Sequence, residues 1–287
     1  MGELPFRDPV ETALAAEQQF VRTLGGFVMG ISGGDLVVHD RIPLARFNFV
    51  VVHSFSPERR AAFFERALDQ YFQRAIRPTF RVAHPVSAHV DSGLRSLGFR
   101  PNSASLTLLL SGGEIGPPPS SDLTVRPATE AEFDSILSLW TTERERPELR
   151  TALDIVWHHP NPEERLTPMV AARATDIVSA GILYEARGEM GLHFIATRPG
   201  EEGQGAASEL VAGVFAASEG RTRVNGFLFA DSPRLEARLV RLGFRPARLF
   251  TVYELPVDAA LALPPVPPTG PPQWRPPRGA SAVRGPP

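Results

Sequence analysis

Phe194–Leu210 reads FIATRPGEEGQGAASEL. Phe194-Ile195-Ala196-Thr197 is short, apolar and partly β-branched, which suits a strand, and Pro199-Gly200 ends it. Gly203 and Gly205 allow the backbone to approach a ligand without side-chain obstruction. From Ala206 the pattern turns helical, with Ala206, Leu210, Val214 and Ala217 on one face. A helix leaving such a turn presents unpaired N–H groups and the positive end of its dipole, a site suited to phosphate. The same residues also read as a plain structural connection between strand and helix.

The composition sets the frame. At 287 residues the chain has room for two ordinary domains, and 43% hydrophobic with 22% charged residues is a globular balance. A formal net charge of −2 gives no electrostatic case for nucleic acid or an anionic membrane. All 30 basic residues are Arg. The absence of Cys excludes disulfides, thiolate nucleophiles and Cys-ligated metals. The opening MGELPFRDPVETALAAEQQF lacks a basic start followed by an apolar core, and no apolar run reaches the roughly 18 residues of a membrane span. The expectation is a cytoplasmic protein; oligomeric state is left open.

In chain order, the spacing predicts a helix over Val10–Leu24, strands at Asp35–His39 and Phe47–Phe55, and a helix from Ser56-Pro57 to about Arg74. A strand Arg77–Ala83, a helix Ser87–Leu97 and a strand Ala104–Leu110 complete the first half. Gly112–Asp122 (GGEIGPPPSSD) has the composition of a linker. The second half follows with a strand Leu123–Pro127, a helix opened by Thr129 and Glu132 in capping-box spacing, and mostly helix to His158. A hairpin around Thr175-Asp176, a strand Gly191–Thr197, the opening stretch, a strand Val224–Phe229, a helix from Ser232-Pro233 to Leu242 and a strand Leu249–Leu255 end it. From Pro256 the Pro/Gly-rich chain reads as a disordered, partly polyproline tail.

Gly93–Pro101 (GLRSLGFRP) recurs as Arg238–Pro246 (RLVRLGFRP), with LGFRP identical in both. Each copy ends a helix and leads into a strand, and each follows a strand, a long helix and a second strand. The chain therefore reads as two copies of one α/β unit.

At this point the sequence resembles the GNAT acetyltransferase superfamily. The family's Q/R-x-x-G-x-G/A loop corresponds to Glu202-Gly203-Gln204-Gly205-Ala206-Ala207, and its LGF helix end to Leu242-Gly243-Phe244. The strand Ile195–Pro199 and the start LTVRPATEAEFDSILSLW match as well; the first half matches more weakly, through FNFVVV, RPTFRVA and LGFRP. The resemblance implies an α/β (α+β) fold of two GNAT-like domains in tandem, each a mixed, mostly antiparallel sheet flanked by helices. The expected division is 1–111 without a cofactor loop, 112–122 as linker, 123–257 as the acyl-CoA-binding domain and 258–287 as tail. It implies acetyl-CoA as co-substrate and an amine as acceptor, with no metal. The loop residues Glu202, Gly203, Gln204, Gly205, Ala206 and Ala207 would hold the pyrophosphate, and Ile195, Ala196 and Thr197 would line the pantetheine arm.

Two departures stand against the pattern. Glu202, beside Glu201, replaces the family's Arg or Gln and opposes a pyrophosphate if it turns inward. Leu239 stands where many members carry the Tyr that protonates the leaving thiolate. Catalytic candidates are then His193 and Tyr184. His193 has an ordinary pKa near neutrality but reads first as a histidine bonded within the sheet, and Tyr184 reads first as core. Arg234, Arg238 and Arg241 can meet a phosphate or form a solvated basic face. His158-His159 with Glu163 and Glu164 lacks metal-ligand spacing. In the first half His53–Arg59 (HSFSPER) lacks glycine, and Pro57 removes a donor, so that half keeps the fold and has lost the cofactor site. Two functions remain: an N-acetyltransferase, or a catalytically inactive acyl-CoA-binding or regulatory module.

Overall fold

The repeated LGFRP does the same work twice. The computed structural model describes residues 8–53, 56–111, 115–116, 122–140, 146–159, 161, 163–186, 188–217 and 225–256. In it, α3 (Ala88–Ser96) and α7 (Pro233–Arg241) both end on Leu-Gly-Phe. Gly98 and Gly243 take φ of 87° and 105°, the left-handed end that glycine adopts without penalty. Phe99 and Phe244 then turn inward, each 1% exposed.

The first half runs α1 (Pro9–Thr23), β1 (Phe27–Ile31), β2 (Gly34–Val38), β3 (Phe49–Val52), α2 (Arg60–Phe72), β4 (Thr79–Ala83), α3 and β5 (Arg100–Ser111). The second runs β6 (Thr124–Pro127), α4 (Phe133–Trp140), α5 (Arg146–Trp157), β7 (Glu164–Arg173), β8 (Asp176–Ala186), β9 (Glu189–Thr197), α6 (Ala206–Ala216), β10 (Asn225–Ala230), α7 and β11 (Phe244–Glu254). Asp8 caps α1 by accepting the Val10 N–H at 2.9 Å, and Ser232 caps α7 through the Leu235 N–H at 3.3 Å. The Thr129/Glu132 capping box is present, ahead of α4. β1 was not anticipated, because Gly30 interrupts its apolar run. Nor does Ser56 cap a long helix: a single 3₁₀ turn, Pro57–Arg59, intervenes and α2 begins at Arg60. Ala217, expected on the buried face of α6, lies just past its end and is exposed. The tail and most of Gly112–Ser121 fall outside the described residues. Of that linker, Ile115 is buried and the Gly116 N–H donates to Leu242 O at 2.9 Å.

Among the described residues the strands join one sheet of eleven in the order β1-β2-β3-β4-β11-β5-β10-β9-β8-β7-β6. The two halves have exchanged their last strands. β5 of the first half pairs antiparallel with β10 of the second, β11 of the second pairs antiparallel with β4 of the first, and β5 and β11 pair with each other down the middle. Neither half holds a complete sheet of its own.

Alternation along the strands sorts the core. Val37, Phe49, Val51, Leu108, Val170, Ile182, Tyr184 and Phe227 point to one face, where α1, α4 and α5 bury them in a single core spanning both halves. Their neighbours point to the other face and form two cores. Leu36, Val50, Val52, Phe80 and Val82 pack under α2 and α3. Leu109, Met169, Ala171, Leu183, Leu192 and Leu228 pack under α6 and α7. Side chains also bind α1 to the second half: Gln19 Nε2 and Thr23 Oγ1 donate to the Glu164 carboxylate at 2.9 and 2.7 Å. Among the described residues no helix is long and apolar enough to cross a membrane.

Candidate functional site

The stretch quoted at the start forms β9, a turn and α6. Gly200, Gly203 and Gly205 carry φ of 89°, 81° and 112°, and Gly205 is the residue from which α6 starts, with no side chain capping it. Ala206, Ala207 and Ser208 then present first-turn N–H groups at the positive end of a helix of 11 residues. Neither carboxylate of the turn fills that position. Glu202 folds back to accept the Gly200 N–H at 2.6 Å, and Glu201 pairs with Arg173 at 3.4 Å. Gln204 is exposed, its amide donating to Gly200 O at 3.1 Å.

Two guanidiniums from α7 lie over the same turn. Arg234 donates to Gly203 O at 3.4 Å, and Arg238 donates to that oxygen as well. Gly203 sits at φ 81°, where a side chain is strained, and the Arg234 guanidinium lies against its Cα. Uncapped N–H groups, a helix dipole and two arginines make an anion site with both direction and charge. Arg241 is exposed farther along the helix. The basic face read from the sequence is thus divided: Arg234 and Arg238 serve the turn.

β9 and β10 run parallel and pair from Glu189↔Asn225 to Leu192↔Leu228. Beyond Leu192 the pairing stops, and the strands part. On the opposite edge of β9 the register to β8 slips between Ala180↔Ala196 and Ile182↔His193, so two residues, Phe194 and Ile195, face Gly181. This is a β-bulge, with Phe194 at φ 55°. A bulky side chain at positive φ is strained, by about 1–3 kcal/mol. Aromatic packing holds it there: the Phe194 ring lies 4.9 Å from Phe47, 6.0 Å from Phe20 and 6.0 Å from Trp140. Beyond Leu192 the β9 backbone has no paired residue on β10, and the bulge interrupts its register with β8.

This stretch of β9 borders a cavity of about 410 Å³. Leu192, His193, Phe194 and Ile195 line one wall, Phe229, Asp231 and Leu235 another, and Glu17, Phe20, Val21, Arg46 and Arg81 of the first half close it. α6 and α1 cover opposite faces of the sheet, and the cavity is lined from α1 by Glu17, Phe20 and Val21 and from α7 by Leu235.

The structure brings most of the sequence-derived candidates to this place, with corrections. His193 stacks on Phe20 at 3.9 Å with the rings 2° from parallel, and its Nε2 is buried with no hydrogen-bond partner among the described residues. Burial, with a smaller effect of the nearby Arg81 charge, pushes it down to about 3. It is neutral at physiological pH and too weak a base to hold an amine's proton, which corrects the role expected of it. It is not bonded within the sheet either. Tyr184 is 1% exposed, packed edge-on to Phe20 at 5.9 Å, and does not line the cavity; it is a core residue and not an acid at the site. Ile195 lines the cavity, and Ala196 and Thr197 continue β9 toward the turn. Leu239 is fully buried in the core under α6 and α7, so no acid stands there.

Sequence reasoning missed Glu17 and Arg81. Glu17 is 7% exposed on the buried stripe of α1 and accepts from Arg81 at 2.5 Å. Arg81 lies flat over Phe49 at 3.5 Å. A carboxylate among Ala13, Ala16, Phe20 and Val21, all buried, was the signal available.

No family profile and no curated protein matches the sequence. Solved structures do match. A GCN5-related N-acetyltransferase from Kribbella flavida aligns over 85% of this chain and 95% of its own at 16% identity, TM-score 0.60. One from Sphaerobacter thermophilus aligns over 78% and 76% at 16% identity, TM-score 0.52. A tandem GNAT protein from the clavulanic acid biosynthesis pathway aligns over 77% of each chain at 11% identity, TM-score 0.50. The chain has the fold of these N-acetyltransferases.

Proposed function

We propose that the protein is an acetyl-CoA-dependent N-acetyltransferase with one cofactor site, built on β9 and α6, and an acceptor site closed by the first half. The observation that carries this reading is the end of β9–β10 pairing after Leu192 beside a bulge, on the strand that leads into an uncapped helix start. The residues fit a CoA pyrophosphate: the N–H groups of Gly205 to Ala207, with Gln204 N–H released from Glu201 O, and the guanidiniums of Arg234 and Arg238 match its charge, and Gly203 and Gly205 give it room. Glu202, in a position the family fills with Arg or Gln, is turned to Gly200 and leaves the cradle clear. Ile195, Ala196 and Thr197 would lie beside the pantetheine arm.

The chain's own contribution to chemistry is then positional and electrostatic. The amine nitrogen attacks the thioester carbonyl carbon, the C–S bond breaks, the nitrogen gives up its proton to solvent and the sulfur leaves as thiolate. Backbone N–H groups freed at the bulge would receive the negative charge that develops on the carbonyl oxygen. The cavity walls hold amine and thioester together. With Leu239 apolar and buried and His193 neutral, the thiolate takes its proton from solvent.

The same two residues favour a second reading, an acyl-CoA-binding module without turnover. Calorimetry with acetyl-CoA tests both: saturable binding supports them, and no heat at millimolar ligand removes both. Thiol release across a panel of primary amines then separates them, since silence across the whole panel leaves the binding module. We place the protein in the cytoplasm, with acyl-CoA and an amine as its partners.

A further inference from the structure

Two arginines of the first half line the cavity, Arg46 and Arg81, and Arg81 keeps part of its guanidinium unspent. Its side chain is 11% exposed, and a charge held at such depth needs partners. Alternation along β4 decides where it points. Phe80 and Val82 enter the core under α2 and α3, so Arg81 points to the opposite face, toward α1. There the guanidinium lies 3.5 Å over the Phe49 ring and 5.7 Å from the Phe229 ring. Nη1 donates to Glu17 Oε1 at 2.5 Å. Nε and Nη2 have no hydrogen-bond partner among the described residues, and neither is sealed from solvent as Glu17 Oε2 is. They keep access to the space that Arg81 lines.

Their geometry limits the ligand. Nε–H and the neighbouring Nη2 N–H lie parallel on one edge of a planar group, a fork that matches the two oxygens of a carboxylate. Glu17 does not close this fork, because it holds Arg81 from Nη1. The charges on the walls are also divided. From the first half come the Glu17–Arg81 pair and Arg46, whose guanidinium lies 5.5 Å over the Phe194 ring, leaving a net positive charge. From the second half come Asp231, an exposed carboxylate, and His193, which is neutral at physiological pH. Walls of opposite sign favour a ligand that carries both charges in the reverse order. Phe20, Phe194 and Phe229 add flat apolar surface to the same cavity.

We propose that Arg81 is the carboxylate clamp of the acceptor site, and that the acceptor is an amino acid, or a similar amino-carboxylate, with an apolar body. Nε–H and Nη2–H take the two carboxylate oxygens, and the amine lies on the side of β9 and Asp231. Glu17 and Phe49 fix the plane of the guanidinium, so the fork is set before the ligand arrives. Since β4 belongs to the half without a cofactor turn, that half selects the substrate. This inference rests on the acetyl-transfer reading for the word acceptor, but carboxylate binding is measured without turnover.

The test uses the full chain with isotope-labelled arginine, the Arg81 Nε–H resonance being the one that disappears in Arg81→Lys. Four probes share one frame: phenylalanine, hydrocinnamate, which lacks the amine, phenethylammonium, which lacks the carboxylate, and hydrocinnamyl alcohol, which lacks both. Each is titrated to tens of millimolar at pH 7 by NMR, read from the protein and from the ligand signals. Phenylalanine and hydrocinnamate are expected to shift the Arg81 Nε–H resonance saturably, phenylalanine at the lower concentration, and the other two are expected to leave it in place. Arg81→Lys keeps a charge for Glu17 and loses the fork, so affinity for both carboxylates should fall about tenfold or more, while acetyl-CoA affinity stays at the wild-type value. If that variant does not fold, Glu17→Gln with Arg81→Met removes the pair as a unit and is read in the same way. No saturable binding of either carboxylate, an equal shift from the alcohol, or undiminished carboxylate affinity in the folded variant overturns the proposal. Failure of acetyl-CoA to bind the wild-type chain would overturn the acetyl-transfer reading and leave the carboxylate titration standing on its own.

Discussion

The chain contains two strand-to-helix junctions at matching places in its two halves, and only one of them is open. In the second half β9 parts from β10 after Leu192, bulges at Phe194 and enters α6 through glycine with no side-chain cap. In the first half β3 stays paired with β4 along its whole length, from Phe49↔Thr79 to Val52↔Val82, and leads through Ser56-Pro57 into a 3₁₀ turn ahead of α2. Pro57 offers no N–H there. His53, at the end of the closed strand, is tied to Asp35 of β2 at 2.8 Å. On the proposed function, the same fold unit is open to a ligand or sealed according to a bulge, two glycines and a proline. Neither the sheet nor the helices need to change.

Dividing the chain gives the largest expected effect. Residues 1–111 and 123–257, expressed separately, should each lack a cooperative urea transition, because each keeps a strand that belongs beside the other's. Co-expression should restore one transition; two independent folded fragments would show that the halves do not depend on each other. Next is the open junction itself. Gly205→Val with Gly203→Ala places side chains at φ of 112° and 81° and is expected to weaken acetyl-CoA by about a hundredfold in calorimetry, near 3 kcal/mol. Pro57→Gly at the closed junction should leave acetyl-CoA affinity as it was. Arg234→Met and Arg238→Met should each cost about tenfold in that affinity and flatten its salt dependence; unchanged affinity would return both to a solvated face.

The histidines sharpen the contrast through pH. His193 binds a proton in the unfolded chain below about 6.5 but in the folded chain only near 3. Between those values the unfolded state holds more protons, so stability falls as pH drops, with a slope approaching 1.4 kcal/mol per pH unit. Urea midpoints from pH 7 to pH 4 should show this loss, and His193→Phe should flatten it. His53 behaves in the opposite sense and more weakly. Its hydrogen bond to Asp35 raises its pKa and lowers that of Asp35. The pair's contribution is therefore complete between about pH 4 and 6.5, fading above as His53 loses its proton and below as Asp35 gains one. With both side chains partly exposed, His53→Gln should remove no more than about 1 kcal/mol, seen as a small midpoint difference at pH 6 that disappears by pH 9.

How much of this the sequence disclosed follows from what is local. LGFRP revealed the paired units because a glycine C-terminus and an inward Phe are set by neighbours in sequence. The glycines of Phe194–Leu210 revealed the turn for the same reason. The bulge at Phe194 was hidden, since it depends on Gly181 across the sheet and on rings from Phe20, Phe47 and Trp140. The exchange of β5 and β11 was hidden as well, because an alternating strand does not record which edge it will join. The pKa of His193 was misjudged because its ordinary value assumes water, and Phe20 replaces that water.

The exchanged strands also set a timetable. The hydrogen bond between His84 and Thr251 joins positions 167 apart in the chain. At typical synthesis rates, β4 waits on the order of ten seconds beside an unfilled edge before β11 leaves the ribosome. Such an edge invites pairing with a second nascent chain. Arg81, which faces the sheet's interior on β4, puts a charge on that strand during the wait and meets Glu17 in the finished protein. The wall of the cavity and the protection of the strand during birth rest on the same residue.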